Sequence, residues 1–277
     1  MEETSKNISS KLIPQAFIPF SARLMAALRA KETVRKDRLF SDPFAAQLAG
    51  EDAFNFANTK SLPRDIAYLA IRTKLFDDFF QEAMTNISQV VILAAGMDTR
   101  AYRLSWPENT CLYELDFSGI LEYKENIIGR VSPNCQRIAI AADLTQPWTH
   151  LLLEQGYQRD RPSIWLLEGL LMYLEASQCD RLMQDVFALT APRSQLGLDL
   201  IDRQAVDGEP YNGYFRFGVD DPEEFLKQYG WTAQIIDPAE LAVRFGCFEN
   251  VLLPHNSSNS ARAFLVKAHN FDPPQPP

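Results

Sequence analysis

Hydrophobic positions from residue 89 onward form short runs separated by segments of helical length, a pattern typical of βαβ units and a parallel sheet. The first run, Val90-Val91-Ile92-Leu93, is apolar at every position, which indicates a strand covered by helices on both faces. We place the predicted strands at Gln89–Leu93, Cys111–Leu115, Arg137–Ala141, Ser163–Leu167, Gln195–Leu200, Thr232–Ile236 and Ala263–Lys267. The pattern predicts an α/β fold with a Rossmann-like, seven-stranded, mostly parallel sheet.

Residues 15–86 show helical spacing instead. Phe20 and Leu24 lie on one predicted helical face, and the segment Arg64–Met84 repeats the pattern. The charged stretch Arg35–Pro43 between them is typical of a solvated connector that ends in a helix start, with Asp42 as the capping residue and Pro43 in the first turn.

No linker rich in Pro, Gly or Ser and no internal repeat divides the chain, so we expect a single domain over residues 1–277. Within it we expect an N-terminal helical cap or lid over 1–86 and a Rossmann-like core over 87–270. Residues 271–277 are predicted to be a disordered tail.

The net charge of -9 disfavours an extended nucleic acid as partner, because binding a phosphate backbone relies on clustered Lys and Arg. The first twenty residues lack the apolar segment of a signal peptide, and no apolar run is long enough to span a membrane. We therefore expect a cytoplasmic protein with a small-molecule substrate and no membrane partner. The oligomeric state stays open.

Cysteine and histidine spacing gives no sign of a metal site. The four cysteines form no C-x-x-C pair, and the three histidines are isolated from one another. We expect reduced thiols and no bound metal.

Acidic residues close or follow successive predicted strands. Asp116 follows the second strand, Asp143 the third and Glu168 the fourth. Ligands of open α/β sheets bind at the carboxyl ends of the strands, so these acids are candidate ligand contacts. Three carboxylates at one rim repel one another unless hydrogen-bond donors or positive charge face them, and an adenosine that carries a sulfonium offers both.

The turn after the first strand contains Gly96, where the missing Cβ allows a ligand to approach the backbone closely. Asp116 follows at the interval typical of an acid that accepts the ribose hydroxyls of a nucleotide. A dinucleotide such as NAD is the rival ligand. The turn has one glycine where the dinucleotide fingerprint needs three, and Asp98 would repel a pyrophosphate.

Arg72 shares an apolar helical stripe with Leu69, Phe76 and Phe79. A guanidinium on such a stripe is buried and needs an anion. Two readings stay open: an ion pair with a local acid, Asp77 or Asp78, or a bidentate clamp on the carboxylate of a ligand.

The segment Val91–Leu104, which includes Ala94-Ala95-Gly96-Met97-Asp98-Thr99-Arg100, resembles the first motif of the leucine carboxyl methyltransferase family and its bacterial small-molecule relatives. The resemblance continues through Arg29–Thr33, Asp42–Ala45, Tyr113–Asp116, Ala142–Leu144, Glu168–Leu174 and Phe217–Pro222. It implies a class I methyltransferase fold and S-adenosylmethionine as cofactor. The chain resembles the bacterial branch, whose acceptors are polyketides and other secondary metabolites.

The resemblance also implies roles for single residues. Arg72 looks like the residue that holds the cofactor carboxylate, and Arg29 either assists it or is a surface helix residue. Gly96 looks like the close backbone contact, and Asp116 like the ribose acceptor. The remaining matches are the adenine-edge pair Asp143 and Leu144, and Glu168 as the acid that faces the methionine amino group.

A carboxylate acceptor needs no general base, whereas a phenol or alcohol does, which favours methyl ester formation. Tyr173 either hydrogen-bonds the acceptor or packs half-buried. The aromatic segment 211–217, together with residues 15–45, either covers the substrate or forms a packed connection. Three other functions stay open: a protein C-terminal carboxyl methyltransferase, a hydroxyl or phenol O-methyltransferase, and a non-catalytic cofactor-binding protein.

Overall fold

A computed structural model of the protein describes residues 17–206, 213–252 and 261–270. Seven strands form one sheet in the order β3-β2-β1-β4-β5-β7-β6. The strands are β1 (Gln89–Leu93), β2 (Cys111–Asp116), β3 (Gln136–Ala141), β4 (Ser163–Leu167), β5 (Gln195–Ile201), β6 (Thr232–Ile236) and β7 (Ala263–His269). Strands β1 to β5 are parallel, and β7 is antiparallel to both β5 and β6. The predicted seven-stranded, mostly parallel α/β sheet is confirmed.

From residue 17, where the described part of the chain begins, three helices precede the sheet, in the region 15–86 for which the sequence predicts helices. They are α1 (Phe17–Thr33), α2 (Ala45–Thr59) and α3 (Pro63–Ala83). The later helices are α4 (Arg100–Arg103), α5 (Ser118–Ile128), α6 (Thr149–Glu154), α7 (Ala176–Ala188), α8 (Arg203–Val206), α9 (Pro222–Lys227) and α10 (Pro238–Phe245), with a 3₁₀ turn at Leu171–Tyr173. The predicted helix start at Pro43 is wrong, because α2 begins at Ala45 and its capping position is Phe44.

Alternate residues of β1 enter two separate hydrophobic cores. Val90 and Ile92 pack in a core that also contains buried residues of α1, α2 and α3. Val91 and Leu93 pack on the opposite face, in the core that contains α7. The N-terminal helices therefore cover one face of the sheet, and β1 is buried on both sides as its sequence predicts.

Helix α3 packs closely on β5 at Gly197. A Cβ at this position would lie 3.1 Å from a ring carbon of Phe79 and 3.2 Å from ring carbons of Phe76. The glycine therefore lets the apolar stripe of α3 approach the strand, which places Arg72 of the same stripe above the end of β5.

The direction of strand succession reverses between β1 and β4. The chain runs from β1 outward to β2 and β3, and β4 then pairs with the other side of β1. In such sheets the crevice for a ligand lies at the carboxyl ends of the strands at this reversal. Asp116 ends β2, and the segments after β1 and β4 carry Gly96 and Glu168; these are residues that the sequence predicts as contacts.

Parts of the sequence-based description lie outside the described residues. These are residues 1–16 of the predicted cap, the predicted tail 271–277, and Tyr211 and Asn212 of the predicted lid. Within the described ranges, no helix is long and apolar enough to cross a membrane, and no group of three His, Cys, Asp or Glu residues can hold a metal ion. All four cysteines are free thiols. The division into a cap and a core stays a prediction.

Candidate functional site

The turn after β1 has an unusual backbone. Ala94 has φ 52° and Gly96 has φ 50°, so both lie in the left-handed region. This conformation costs about 1–2 kcal/mol for a residue with a Cβ, so Ala94 is strained beside the predicted binding loop. A Cβ on Gly96 would lie 3.4 Å from the Cβ of Ala22. Helix α1 thus lies directly against the glycine.

Asp116 and Gly96, both predicted as ligand contacts, are joined by a hydrogen bond. The Gly96 N–H donates to Asp116 Oδ2 at 2.6 Å, and the Phe117 N–H donates to Oδ1 at 2.7 Å. Burial raises the pKa of Asp116. Each carboxylate oxygen keeps acceptor capacity beyond its single amide, which is the arrangement that two adjacent hydroxyl groups require.

Asp143 and Leu144 follow β3, the strand at the edge of the sheet next to β2. Asp143 is exposed, and its Oδ1 accepts hydrogen bonds from the backbone N–H and the hydroxyl of Thr145 at 2.9 and 2.6 Å. Leu144 is buried. This pair therefore lies on the same rim as Asp116, one strand further out.

Arg72 is buried, as predicted, but its partners are neither Asp77 nor Asp78. Its Nη1 donates to Asp199 Oδ2 at 2.7 Å, and its Nε lies 2.9 Å from Glu168 Oε1. Both acids come from strand ends, far from Arg72 in sequence. Although burial lowers the pKa of the guanidinium, Asp199 and Glu168 raise it above its usual value.

Although Glu168 Oε1 lies 2.9 Å from Arg72 Nε, it is not aligned with the N–H, so the Nε–H forms no hydrogen bond within the described part of the chain. Its neighbour Nη2 has Met25 Sδ as its contact, at 3.7 Å. Nε and Nη2 form one edge of the guanidinium, and a carboxylate can accept from both in parallel. A ligand carboxylate therefore fits the group that Arg72 presents.

Arg100, which sequence reasoning did not single out, binds the other oxygen of Glu168. Its Nη1 lies 2.9 Å from Glu168 Oε2, its Nε donates to Asp77 at 2.8 Å, and it also pairs with Asp98. Burial raises the pKa of Asp98, but Arg100 and other cations lower it to about 2. Because Arg100 compensates the charge of Asp98, Asp98 repels a pyrophosphate less than the sequence predicts. The missing glycines of the turn still argue against NAD as the ligand.

The interpretation of Asp42 as part of a solvated connector is wrong. Its carboxylate is buried and accepts from Arg29 Nε and from the Thr99 hydroxyl, both at 2.8 Å. Arg29 also donates to the carbonyl of Met97. Arg29 is therefore not a surface residue: it connects α1 with Asp42 and with the turn after β1.

These groups form one ion-pair network under the rim of the sheet. The carboxylates are those of Asp42, Asp77, Asp98, Glu168 and Asp199, and the guanidiniums are those of Arg29, Arg72, Arg100 and Arg103. The network has one more carboxylate than guanidinium. Of the three acids that the sequence predicts to crowd the rim, Glu168 alone belongs to this network, where Arg72 and Arg100 compensate its charge. Asp116 instead accepts from backbone N–H groups, and Asp143 from Thr145.

Tyr173 lies in the 3₁₀ turn, five residues after Glu168, and is half-buried. Its ring contacts the ring of Phe215 edge-on, with centroids 5.4 Å apart. The backbone N–H groups of Arg216 and Phe217 donate to the carbonyl of Met172 at 2.8 and 3.4 Å. Residues 213–217 of the predicted lid thus pack against the turn that carries Tyr173.

Sequence reasoning missed Asp199, Arg100 and the buried role of Asp42. Asp199 had a usable signal, because it is an acid inside the apolar segment Gln195–Ile201. Arg100 and Asp42 lie in the motifs that carry the family resemblance, but nothing local in the sequence shows that they are buried.

Comparisons with known proteins show the family of the chain. Residues 22–187 match the family model for leucine carboxyl methyltransferase. A protein of Mycobacteroides abscessus, named "Putative S-adenosyl-L-methionine-dependent methyltransferase", is 33% identical over 261 residues, which cover 83% of this chain and 87% of the relative. A protein of Streptomyces avermitilis with a name of the same type is 34% identical over 243 residues, which cover 80% of this chain and 86% of the relative.

Solved structures share the fold at low sequence identity. A methyltransferase-type structure from Thermobifida fusca has a TM-score of 0.58 and 16% identity, covering 95% of this chain and all of its own. The CurJ carbon methyltransferase has a TM-score of 0.53 and 13% identity, covering 95% of this chain and 73% of its own. These likenesses show the α/β methyltransferase-like fold.

Proposed function

Because the chain belongs to the leucine carboxyl methyltransferase family and is an S-adenosylmethionine-dependent methyltransferase, we propose that it methylates the carboxylate of a small molecule of secondary metabolism. The product would be a methyl ester. The site residues suit the cofactor, and the chemistry of the rim favours an acceptor that needs no base.

We propose the cofactor contacts from the family resemblance, supported by the position of each group at the rim. Arg72 presents the Nε and Nη2 edge to the cofactor carboxylate, and Glu168 lies beside it for the ammonium group. Gly96 gives the close backbone contact, and Asp116 accepts from the ribose. Asp143 and the Leu144 amide contact the adenine edge, and Arg29 acts through the turn that it holds.

The observation that carries this placement is the buried Nε of Arg72, which has no hydrogen-bonded acceptor within the described residues. Glu168 Oε1, 2.9 Å away, compensates the charge of this donor without accepting a hydrogen bond from it, so a ligand carboxylate aligned with Nε and Nη2 would satisfy the N–H. The surplus carboxylate of the network suits a ligand with an additional positive charge. S-adenosylmethionine combines a carboxylate with an ammonium and a sulfonium, and when bound it supplies an electrophilic methyl group.

Neither histidine of the described residues closes a parallel strand, where a general base would face the site. His269 ends β7 opposite Gln195, at the amino end of the parallel strands, and His150 is exposed on α6. A carboxylate acceptor is already a nucleophile at neutral pH, so the protein has to orient it and exclude water. We assign Tyr173, with its hydroxyl and its contact to Phe215, to acceptor positioning.

The test is methyl transfer from methyl-labelled S-adenosylmethionine to a panel of aliphatic and aromatic carboxylic acids, with phenols of matched ring structure. Mild alkali releases methanol from a methyl ester but not from an aryl ether. We expect labelled, alkali-labile product from at least one acid, and loss of that product in the Asp116→Ala variant.

Two outcomes contradict the proposal. Alkali-stable product from phenols alone would indicate a hydroxyl methyltransferase. Esterification of peptides that end in a free carboxylate, with none of the small acids accepted, would indicate a protein carboxyl methyltransferase.

A further inference from the structure

Asp199 is a buried acid inside an otherwise apolar strand. It lies near the carboxyl end of β5, between Leu198 and Leu200, and is 1% exposed. Moving a carboxylate out of water costs several kcal/mol, so such a group persists where several donors satisfy it. None of the contacts assigned above to the cofactor involves this residue.

Three donors from two different elements satisfy Asp199. Oδ2 accepts from Arg72 Nη1 at 2.7 Å and from the Tyr68 hydroxyl at 3.2 Å, and both donors stand on α3 one turn apart. Oδ1 accepts from the Gly169 N–H at 2.6 Å. Asp199 therefore connects α3 with the turn that follows Glu168.

Asp199 also decides which edge of Arg72 remains for a ligand. It takes the terminal Nη1, and the opposite edge, with Nε and Nη2, makes no hydrogen bond to a carboxylate among the described residues. Glu168 competes for that edge, because its Oε1 lies 2.9 Å from Nε. The second oxygen of Glu168 pairs with Arg100 Nη1 at 2.9 Å.

We propose that Asp199 is a positioning residue that anchors Arg72 by Nη1 and so presents the Nε and Nη2 edge to the carboxylate of the cofactor. Without this anchor, the guanidinium turns onto Glu168 and forms a bidentate pair with it. That pair removes both the partner of the cofactor carboxylate and the partner of its ammonium group. The inference rests on the cofactor placement proposed above.

The experiment measures the dissociation constants of S-adenosylmethionine and of its decarboxylated analogue by calorimetry. Their ratio reports recognition of the carboxylate alone, because the two ligands share every other group. For the wild-type protein we expect a preference of about tenfold to a hundredfold for the carboxylate-bearing ligand. In Asp199→Asn, which keeps the size of the side chain and an acceptor for Gly169, the preference should fall at least tenfold or disappear.

Glu114→Gln is the matched control. Glu114 is also a fully buried acid on a parallel strand, and it pairs with Lys124 and Arg137 at 2.8 Å, away from Arg72. The Glu114→Gln variant should have a lower melting temperature than the wild type, as Asp199→Asn does, but should keep the wild-type preference for S-adenosylmethionine over its decarboxylated analogue. If Asp199→Asn does not fold, Tyr68→Phe replaces it in the experiment, because this variant removes one hydrogen-bond donor from Asp199. The preference of Tyr68→Phe for the carboxylate-bearing ligand should fall several-fold.

An unchanged preference in folded Asp199→Asn, or an equal fall in Glu114→Gln, would overturn the role of Asp199 while leaving the cofactor site intact. A wild-type protein that binds both ligands equally well would instead contradict the placement of the cofactor carboxylate on Arg72. The two failures are thus distinguishable in one set of titrations.

Discussion

Asp116 is a buried carboxylate whose two oxygens each accept one backbone N–H at the end of β2. Replacing it with alanine should remove charge-assisted hydrogen bonds to the ribose worth about 1.5–3 kcal/mol, and hence weaken cofactor affinity about tenfold to a hundredfold. Titration with S-adenosylhomocysteine measures this. Glu122→Ala, an exposed acid on α5, is the control and should bind as the wild type does.

Folded Asp116→Ala protein that keeps wild-type affinity would show that the ribose lies elsewhere.

Arg72 has a structural role as the partner of Asp199, and we propose a binding role beside it; the sequence alone left these two roles as alternatives. Arg72→Met leaves Asp199 buried without its cation, which should cost about 3–5 kcal/mol of unfolding free energy in the absence of ligand. Cofactor affinity should fall as well, because the carboxylate loses a bidentate partner. Denaturant unfolding and calorimetry of the same variant measure the two effects.

Lys74→Met is the control on the same helix. Its ion pair with Asp78 is partly exposed, so its loss should change stability by less than about 1 kcal/mol and leave affinity unchanged. A large loss of stability in Arg72→Met with intact affinity would contradict the binding role.

For single residues, the sequence indicates that Arg72 is buried but not which acids pair with it. The stripe of Leu69, Phe76 and Phe79 predicts a buried Arg72 correctly, because helical spacing is a local property. Asp199 lies 127 positions further along the chain. No periodicity reports which strand end faces a helix, so the acid that pairs with Arg72 becomes visible only when the sheet is assembled.

Helix α1 is tied to the turn after β1 through one buried carboxylate. Asp42 binds Arg29 of α1 and the hydroxyl of Thr99, which precedes α4. The Arg29 and Met97 contact adds a second connection. These elements enclose Gly96, so the orientation of α1 is part of the proposed cofactor site.

Asp42→Ala should therefore destabilise the protein by about 3–5 kcal/mol, because Arg29 loses its buried partner. Asp52→Ala is a matched control, since Asp52 also pairs with an arginine of α1, Arg23, but is largely exposed. We expect no measurable change in the unfolding free energy of Asp52→Ala. Unfolding curves in denaturant measure the stability of both variants. Equal stabilities of Asp42→Ala and Asp52→Ala would refute the structural role of Asp42.

The elements themselves are well predicted by the hydrophobic pattern. Each strand from β1 to β7 begins within one residue of its predicted start. Strands β1, β2, β4 and β5 are buried on both faces and therefore read as apolar runs, whereas β3 and β6 are partly exposed. The segment around Asp42 is the exception. Its charged composition indicates solvent, but tertiary contacts bury the acid against Arg29, and composition carries no information on that contact.

Across the whole molecule, buried ion pairs make stability depend on acid pH. The pKa of Asp98 is lowered to about 2 from an ordinary value of 3.8, so its carboxylate contributes stability above pH 4 that is lost as the pH falls from about 4 to 2. The shift corresponds to about 2 kcal/mol.

Asp98→Asn should accordingly be less stable than the wild type at pH 7, and its unfolding free energy should fall less steeply between pH 4 and pH 2. Denaturant titrations at a series of pH values measure both slopes. Glu122→Gln, in which an exposed acid is replaced, should keep the wild-type slope. Parallel pH curves for Asp98→Asn and the wild type would refute the assignment of this acid transition to Asp98.

The fold, the enzyme class and the cofactor place the molecule among S-adenosylmethionine-dependent methyltransferases, and the acceptor is a proposal that rests on the chemistry of the rim. The central claim is that the carboxyl ends of β1, β2 and β4 hold an adenosine-linked amino acid rather than a dinucleotide. Calorimetric titration of the wild-type protein with S-adenosylhomocysteine and, separately, with NAD tests it most directly. We predict saturable one-site binding of S-adenosylhomocysteine and no binding of NAD. Tight binding of NAD with no response to S-adenosylhomocysteine would contradict the account.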